Sequence, residues 1–194
     1  MRGLRRVAAA LVLCLAAGTA AAEPPPDAGG RYRDALRTDD RDTRLWYWGW
    51  GGVFVLSGAY DGYMLHDAWD GRGDEAQKDR REAAADLGCS TLGIVGLLIG
   101  DVGPGVDVPY ETLDETHLRL AVAEQARREA DNRGWFAHVA NAVVGLSTSL
   151  YFWRGLGRPG TALLNLGLSI GTGEVQIWTT PTHSLELWER EGGP

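Results

Sequence analysis

Residues 135–153 read WFAHVANAVVGLSTSLYFW, with tryptophan at both ends and no Asp, Glu, Lys or Arg between them. A helix that crosses a bilayer needs roughly 20 predominantly apolar residues, and this run sits at the short end of that length. Three more stretches share its character. Segments 45–65, 83–100 and 160–178 contain no Lys or Arg, and each carries a single acid: Asp61, Asp86 and Glu174. The pattern predicts an all-α membrane protein, with four short glycine-rich transmembrane helices in one bundle. The mildly negative mean hydropathy of the whole chain does not oppose this, because averaging hides the segregation of apolar segments from charged connectors.

Tryptophan placement points the same way. Trp46, Trp48 and Trp50 open the first segment and Trp69 follows its far end; Trp135 and Trp153 bracket the third, and Trp178 closes the fourth. Indole is amphipathic and collects at the headgroup level, so rings at segment ends are expected of an aromatic belt. Glycine adds a second signal, since Gly58/Gly62, Gly96/Gly100 and Gly167/Gly171 lie four apart in apolar surroundings. Such spacing makes a flat helix face that another backbone can approach, whether from this chain, a second copy or another membrane protein. In a water-exposed helix each glycine would cost about 1 kcal/mol against alanine.

Outward from the spans, the N-terminus begins with Arg2, Arg5 and Arg6, continues as an apolar run, and ends in Ala20-Ala21-Ala22. These are the parts of a cleavable signal peptide over 1–22. Leu13 before Cys14 does not fit lipidation. Loss of Arg2, Arg5 and Arg6, with no acid, moves the formal charge from −7 to −10, which disfavours nucleic acid as a partner. It leaves Cys89 as a lone thiol, so neither an internal disulfide nor a cysteine metal set is expected. Residues 23–44, with Pro24-Pro25-Pro26 and many Arg and Asp, are expected to form a flexible exported arm. The transmembrane domain then runs over 45–182, and 183–194 is a short tail in which Leu185, Leu187 and Trp188 could rest at the interface.

Connector 154–159 is too short for anything but a helical hairpin. The 110–133 loop offers the capping pattern Thr112-Leu113-Asp114-Glu115 and then helix-favouring Ala, Leu, Glu and Arg, so one extramembrane helix is expected there, ending near Asn132-Arg133-Gly134. Export of the arm places 66–82 and 154–159 inside. Those loops carry Arg72, Lys78, Arg80, Arg81, Arg154 and Arg158, a higher basic density than Arg119, Arg127, Arg128 and Arg133 give the 101–134 loop. That agrees with the positive-inside tendency, although Arg41 and Arg44 oppose it.

Ionisable side chains within membrane helices are costly and usually face the bundle interior. His138 lies one turn in from the outer end of the third span, and Glu174 one turn in from the outer end of the fourth. The hairpin makes these helices antiparallel neighbours, so the two side chains are expected to meet, with Asn141 a turn deeper and Gln176 beside them. Such a group could hold a cation or a polar headgroup, or pass a proton; the plainer reading is a clamp between two helices. Asp61 and Asp86 both fall near the inner face and are secondary candidates, with solvated helix ends as the plainer reading.

No motif assigns catalysis. There is no phosphate loop, Gly-x-Ser-x-Gly elbow or spaced histidine pair, and the acids of 67–75 miss the positions of a calcium loop. No metal, cofactor or catalytic residue is therefore expected. Small outer-membrane barrels share the signal peptide, the glycines and the Trp46-x-Trp48-x-Trp50 alternation, but the Ala- and Leu-rich runs lack the dyad repeat of their strands. The closing run 173–182, following the 132–141 stretch, resembles small uncharacterised bacterial inner-membrane proteins, and that resemblance implies no activity. Export of the arm and the four spans together place the chain in the inner membrane, with arm and tail in the periplasm and the lipid bilayer as the first partner. A structural, assembly or partner-binding role in the envelope ranks first, a small transporter or channel second, and a membrane-embedded enzyme third.

Overall fold

The computed structural model describes residues 27–99 and 109–193. They form six α-helices: α1 (Ala28–Asp67), α2 (Asp74–Ile99), α3 (Glu115–Asn132), α4 (Trp135–Leu150), α5 (Pro159–Trp178) and α6 (His183–Arg190). A π-turn over Tyr151–Gly155 extends α4. The chain is all-α, and no strand occurs among the described residues, so the barrel alternative has nothing to build it. The signal-peptide assignment over 1–22 lies outside the described residues, as do Pro24-Pro25-Pro26 and Gly100. Among the described residues, no helix is long and apolar enough to cross a membrane.

Two antiparallel hairpins, α1–α2 and α4–α5, lie side by side. The first turns at Gly73, whose φ of +93° suits only glycine, and the second at Gly157, with φ +67°. Pro159 opens α5, where its missing N–H is no loss. Gly134 starts α4 immediately after Arg133 closes α3, as the Asn132-Arg133-Gly134 break predicts. The α3 start differs from the capping pattern. Asp114, not Thr112, accepts the His117 N–H at 2.9 Å, while the Thr112 hydroxyl donates to the Pro109 carbonyl within a turn.

The expected flexible arm is corrected over 28–44. These residues are the first half of α1, a 40-residue helix capped by Asp27, whose carboxylate accepts the Gly30 N–H at 2.6 Å. Their charges hide a helical stripe: Tyr32, Leu36, Asp39 and Thr43 are all buried. On α3 the matching stripe is Leu118, Val122, Ala126 and Glu129. Leu187 of α6 completes a small core with Tyr32, Leu36, Leu118 and Val122. Leu187 is thus buried in a helical cap rather than resting at a membrane interface. The cap gathers at one end of the molecule the three segments assigned to one side of the membrane.

Beyond Thr43 the sense of burial reverses. Large apolar side chains on the rest of α1 and on α2, α4 and α5 point outward, among them Trp48, Leu56, Leu92, Leu98, Phe136 and Leu163. Polar side chains lie between the helices. Ser90 and Ser149 are buried, the Ser90 hydroxyl donates to Asp61 at 2.7 Å, and the Asn165 amide donates to Ser149 at 3.3 Å.

Glycine does hold helices close, mainly at positions other than the spacing picked, with Gly58 the exception. An added Cβ at Gly145 would meet Ile170 Cγ1 at 2.8 Å, and at Gly173 it would overlap the Asn141 amide. Of the expected faces, Gly58 lies against Ser90 and Leu87, but Gly62, Gly96, Gly167 and Gly171 have open space. The hairpins are joined at the loop end by a second small core of Phe152, Leu156 and Ala162 against Ala85. Arg158 adds polar ties from that loop to Asp79 and Glu82 on α2. At the cap end, Trp46 Nε1 donates to the Thr179 hydroxyl at 3.2 Å.

Candidate functional site

The structure brings together three of the four residues singled out within the spans. His138 projects from the first turn of α4 and Glu174 from the last turns of α5, and His138 Nδ1 lies 2.8 Å from Glu174 Oε2. Asn141, one turn deeper on α4, donates through Nδ2 to Glu174 Oε1 at 3.0 Å and to the Ile170 carbonyl at 3.0 Å. Both carboxylate oxygens are therefore occupied by donors from α4. With Glu174 ionised, Nδ1 carries the imidazole proton and donates it, which leaves Nε2 as the other ring nitrogen. The Trp178 ring packs 5.7 Å from that imidazole, centroid to centroid.

Gln176 does not join them. It is two residues from Glu174 and so on another face of the helix; its carbonyl accepts from Trp46 at 3.3 Å, and its side chain makes no hydrogen bond among the described residues. Asp61 binds Ser90 across the α1–α2 hairpin at 2.7 Å. This departs from a helix end solvated by water alone. Asp86, one turn from Ser90 on α2, is partly buried and makes no hydrogen bond among the described residues. No group of three His, Cys, Asp or Glu side chains among the described residues could hold a metal ion. Cys89 is unpaired, with Sγ 3.6 Å from the Thr148 hydroxyl.

The most buried polar cluster lies in the cap, and the sequence reading missed it. Asp39 is 1% exposed and Glu129 2%. Asp39 accepts the backbone N–H groups of His183 at 3.0 Å and Ser184 at 2.9 Å, and also the Ser184 hydroxyl. Glu129 accepts the Leu185 N–H at 2.8 Å and the Gln125 amide at 3.3 Å. Together they satisfy the free N–H groups that open α6. Neither carboxylate forms an ion pair among the described residues. Burial, and then the neighbouring Asp39 charge, hold Glu129 well above the ordinary carboxylate range. The signal that could have found the pair is the helical stripe itself: on both α1 and α3 the acid occupies an apolar-face position.

The clusters differ in what they can do. The α4–α5 group is a satisfied clamp with one ring nitrogen left over. The cap pair is two carboxylates sealed from solvent against the first turn of α6. No family model, curated protein or solved structure matches the chain.

Proposed function

We propose that this chain is an integral membrane protein of the bacterial envelope with a structural or partner-holding role. Its two hairpins are embedded in the bilayer, and its helical cap stands in water on the outer side. The observation that carries this reading is the reversal of burial within α1. Leu36 is 0% exposed and packs into the cap core, whereas Leu56, more than five turns further along the same helix, is 71% exposed among outward-facing neighbours. A water-soluble bundle would turn those residues inward, and an exposed apolar surface this extensive needs a covering. Lipid covers all four helices at once.

The hydropathy of the single helices is not an obstacle to insertion as hairpins. Part of what lowers it is a set of polar residues, Asp61, Ser90, Asn141, Ser149, Asn165 and Glu174, whose side chains hydrogen-bond across to a neighbouring helix. Interhelical hydrogen bonds of this kind contribute about 0.6–2 kcal/mol each. The His138–Glu174–Asn141 group acts as one of these clamps, because both Glu174 oxygens already have donors. That favours a structural role over a transport path.

The test is sided thiol labelling in intact cells, with Cys14 and Cys89 replaced by serine and a single cysteine introduced as Asp74→Cys or Glu115→Cys. Both positions are exposed, and they lie at opposite ends of the bundle. A membrane-impermeant reagent should label the 115 variant and spare the 74 variant. Labelling at both, together with release of the protein from membranes by alkaline carbonate, would refute the embedded bundle. Labelling at 74 alone would invert its orientation.

A further inference from the structure

α6 is short; Leu187 seats it in the cap core and Glu191 just beyond it binds Arg31 and Tyr32, while its first turn is held by two buried carboxylates with no ion-pair partner among the described residues. We propose that Asp39 and Glu129 form a proton-held latch on α6. While one proton is retained by the pair, the two side chains bind the first turn of α6; when it leaves, α6 undocks and uncovers the apolar groove that Leu187 fills between α1 and α3.

Two ionised carboxylates in one buried site repel each other and lack hydration, so such a pair keeps a proton far above the range of a free acid. Among the described residues, the charged groups around it are engaged with other partners. On α6, the His183 ring pairs with Asp42 of α1 at 2.9 Å, and Glu186 accepts from the Thr182 hydroxyl at 3.0 Å. Arg190 donates to the Glu186 carbonyl. At the end of α3, Arg133 donates to the Trp178 and Thr180 carbonyls at 2.7 and 2.6 Å. At the far end of α6, Arg31 and Tyr32 both bind Glu191, and Arg119 sits over Trp188. Arg33 is drawn to the Leu113 carbonyl at 3.2 Å.

The sign follows from linkage. Glu129 binds a proton more tightly in the folded cap than in an unfolded chain, so its contribution is complete below the ordinary carboxylate range. That contribution is lost as pH rises through the raised folded value. Release is thus an alkaline event. Acidic or neutral pH keeps the groove covered; alkaline pH exposes Tyr32, Leu36, Leu118 and Val122.

A nitroxide on Glu189→Cys, exposed on α6, reads the latch in the full chain with Cys14 and Cys89 replaced by serine. Its spectrum should be immobilised at about pH 6 and severalfold more mobile at about pH 10, with a midpoint on the alkaline side of neutrality. Glu129→Gln, a neutral isostere, should keep α6 docked across the range. Asp39→Asn removes the repelling neighbour and should move the midpoint toward acid, so it decides the matter if Glu129→Gln fails to fold. A flat wild-type profile overturns the latch. So does a transition that survives Glu129→Gln and disappears in His183→Gln, which would assign the proton to the His183–Asp42 pair. An unshifted midpoint in Asp39→Asn overturns it as well.

Discussion

His138 and Glu174 meet across the α4–α5 hairpin, Nδ1 to Oε2 at 2.8 Å, and Asn141 holds the other carboxylate oxygen at 3.0 Å. Three side chains on two helices therefore act as one unit, and their losses should not add. His138→Ala should destabilise the bundle by about 1 kcal/mol and Glu174→Ala by about 2 kcal/mol, because the latter also frees Asn141. The double variant should cost less than the sum by roughly 0.5 kcal/mol or more. Unfolding in detergent measures all three; additive losses would mean that the contact contributes nothing.

Glycine positions divide into those that face a neighbour and those that face open space. Gly173→Ala should displace Asn141 from Glu174, and Gly145→Ala should force Ile170 to move, so both should lower the thermal midpoint. Gly167→Ala meets nothing, and relief of the helical glycine cost should make it neutral or stabilising by up to about 1 kcal/mol. A destabilised Gly167→Ala would instead reveal a partner helix seated on that face.

This division also shows where the sequence stops being informative. Spacing along one helix identifies a small-residue face but not the rotation of that helix against its neighbour, so Gly167 and Gly171 were indistinguishable from Gly145 and Gly173. The His138–Glu174 meeting was legible because the 154–159 connector forces antiparallel neighbours and equal depth then pairs the residues. Gln176 was not separable from Glu174 without the helix phase. The first half of α1 misled for another reason. Its Gly29-Gly30 pair and high charge content, following Pro24-Pro25-Pro26 in sequence, read as disorder, whereas the spacing Tyr32, Leu36, Asp39 and Thr43 reads as a helix face. The spacing prevails because α3 and α6 supply the apolar surface that composition cannot reveal.

Arg158 ties the α4–α5 turn to α2 through Asp79 and Glu82, with Glu75 at 3.3 Å. Those acids hold its guanidinium above its ordinary value. Arg158→Gln removes the charge while keeping much of the length, and it leaves a cluster of acids on the first turns of α2. A loss of about 0.5–1 kcal/mol is expected, carried mainly by the half-buried Glu82, since Asp79 and Glu75 are exposed and screened by water. Added salt should reduce the difference between variant and wild type, since part of it is repulsion among the released carboxylates. An unchanged thermal midpoint in Arg158→Gln at low salt would show that the Phe152–Leu156–Ala162 contacts hold this end alone.

The two leucines of α1 give the sharpest contrast. Leu36 is fully buried among cap residues, and Leu36→Ala should cost about 2–5 kcal/mol whatever surrounds the bundle, because it opens a cavity in a small core. Leu56 is 71% exposed, so its response depends entirely on what it faces. If that surface meets lipid, Leu56→Lys brings an ammonium into hydrocarbon, at about 3 kcal/mol near the centre of a span, and the variant should insert poorly and be degraded. If the surface met water, the same change would be neutral and would improve solubility. Membrane-fraction yield of Leu56→Lys beside Leu56→Ala separates the cases, because truncation to alanine leaves an apolar surface and should insert normally. Equal yields would remove lipid as the covering of α1 and leave the outward face of the hairpins to be covered by protein.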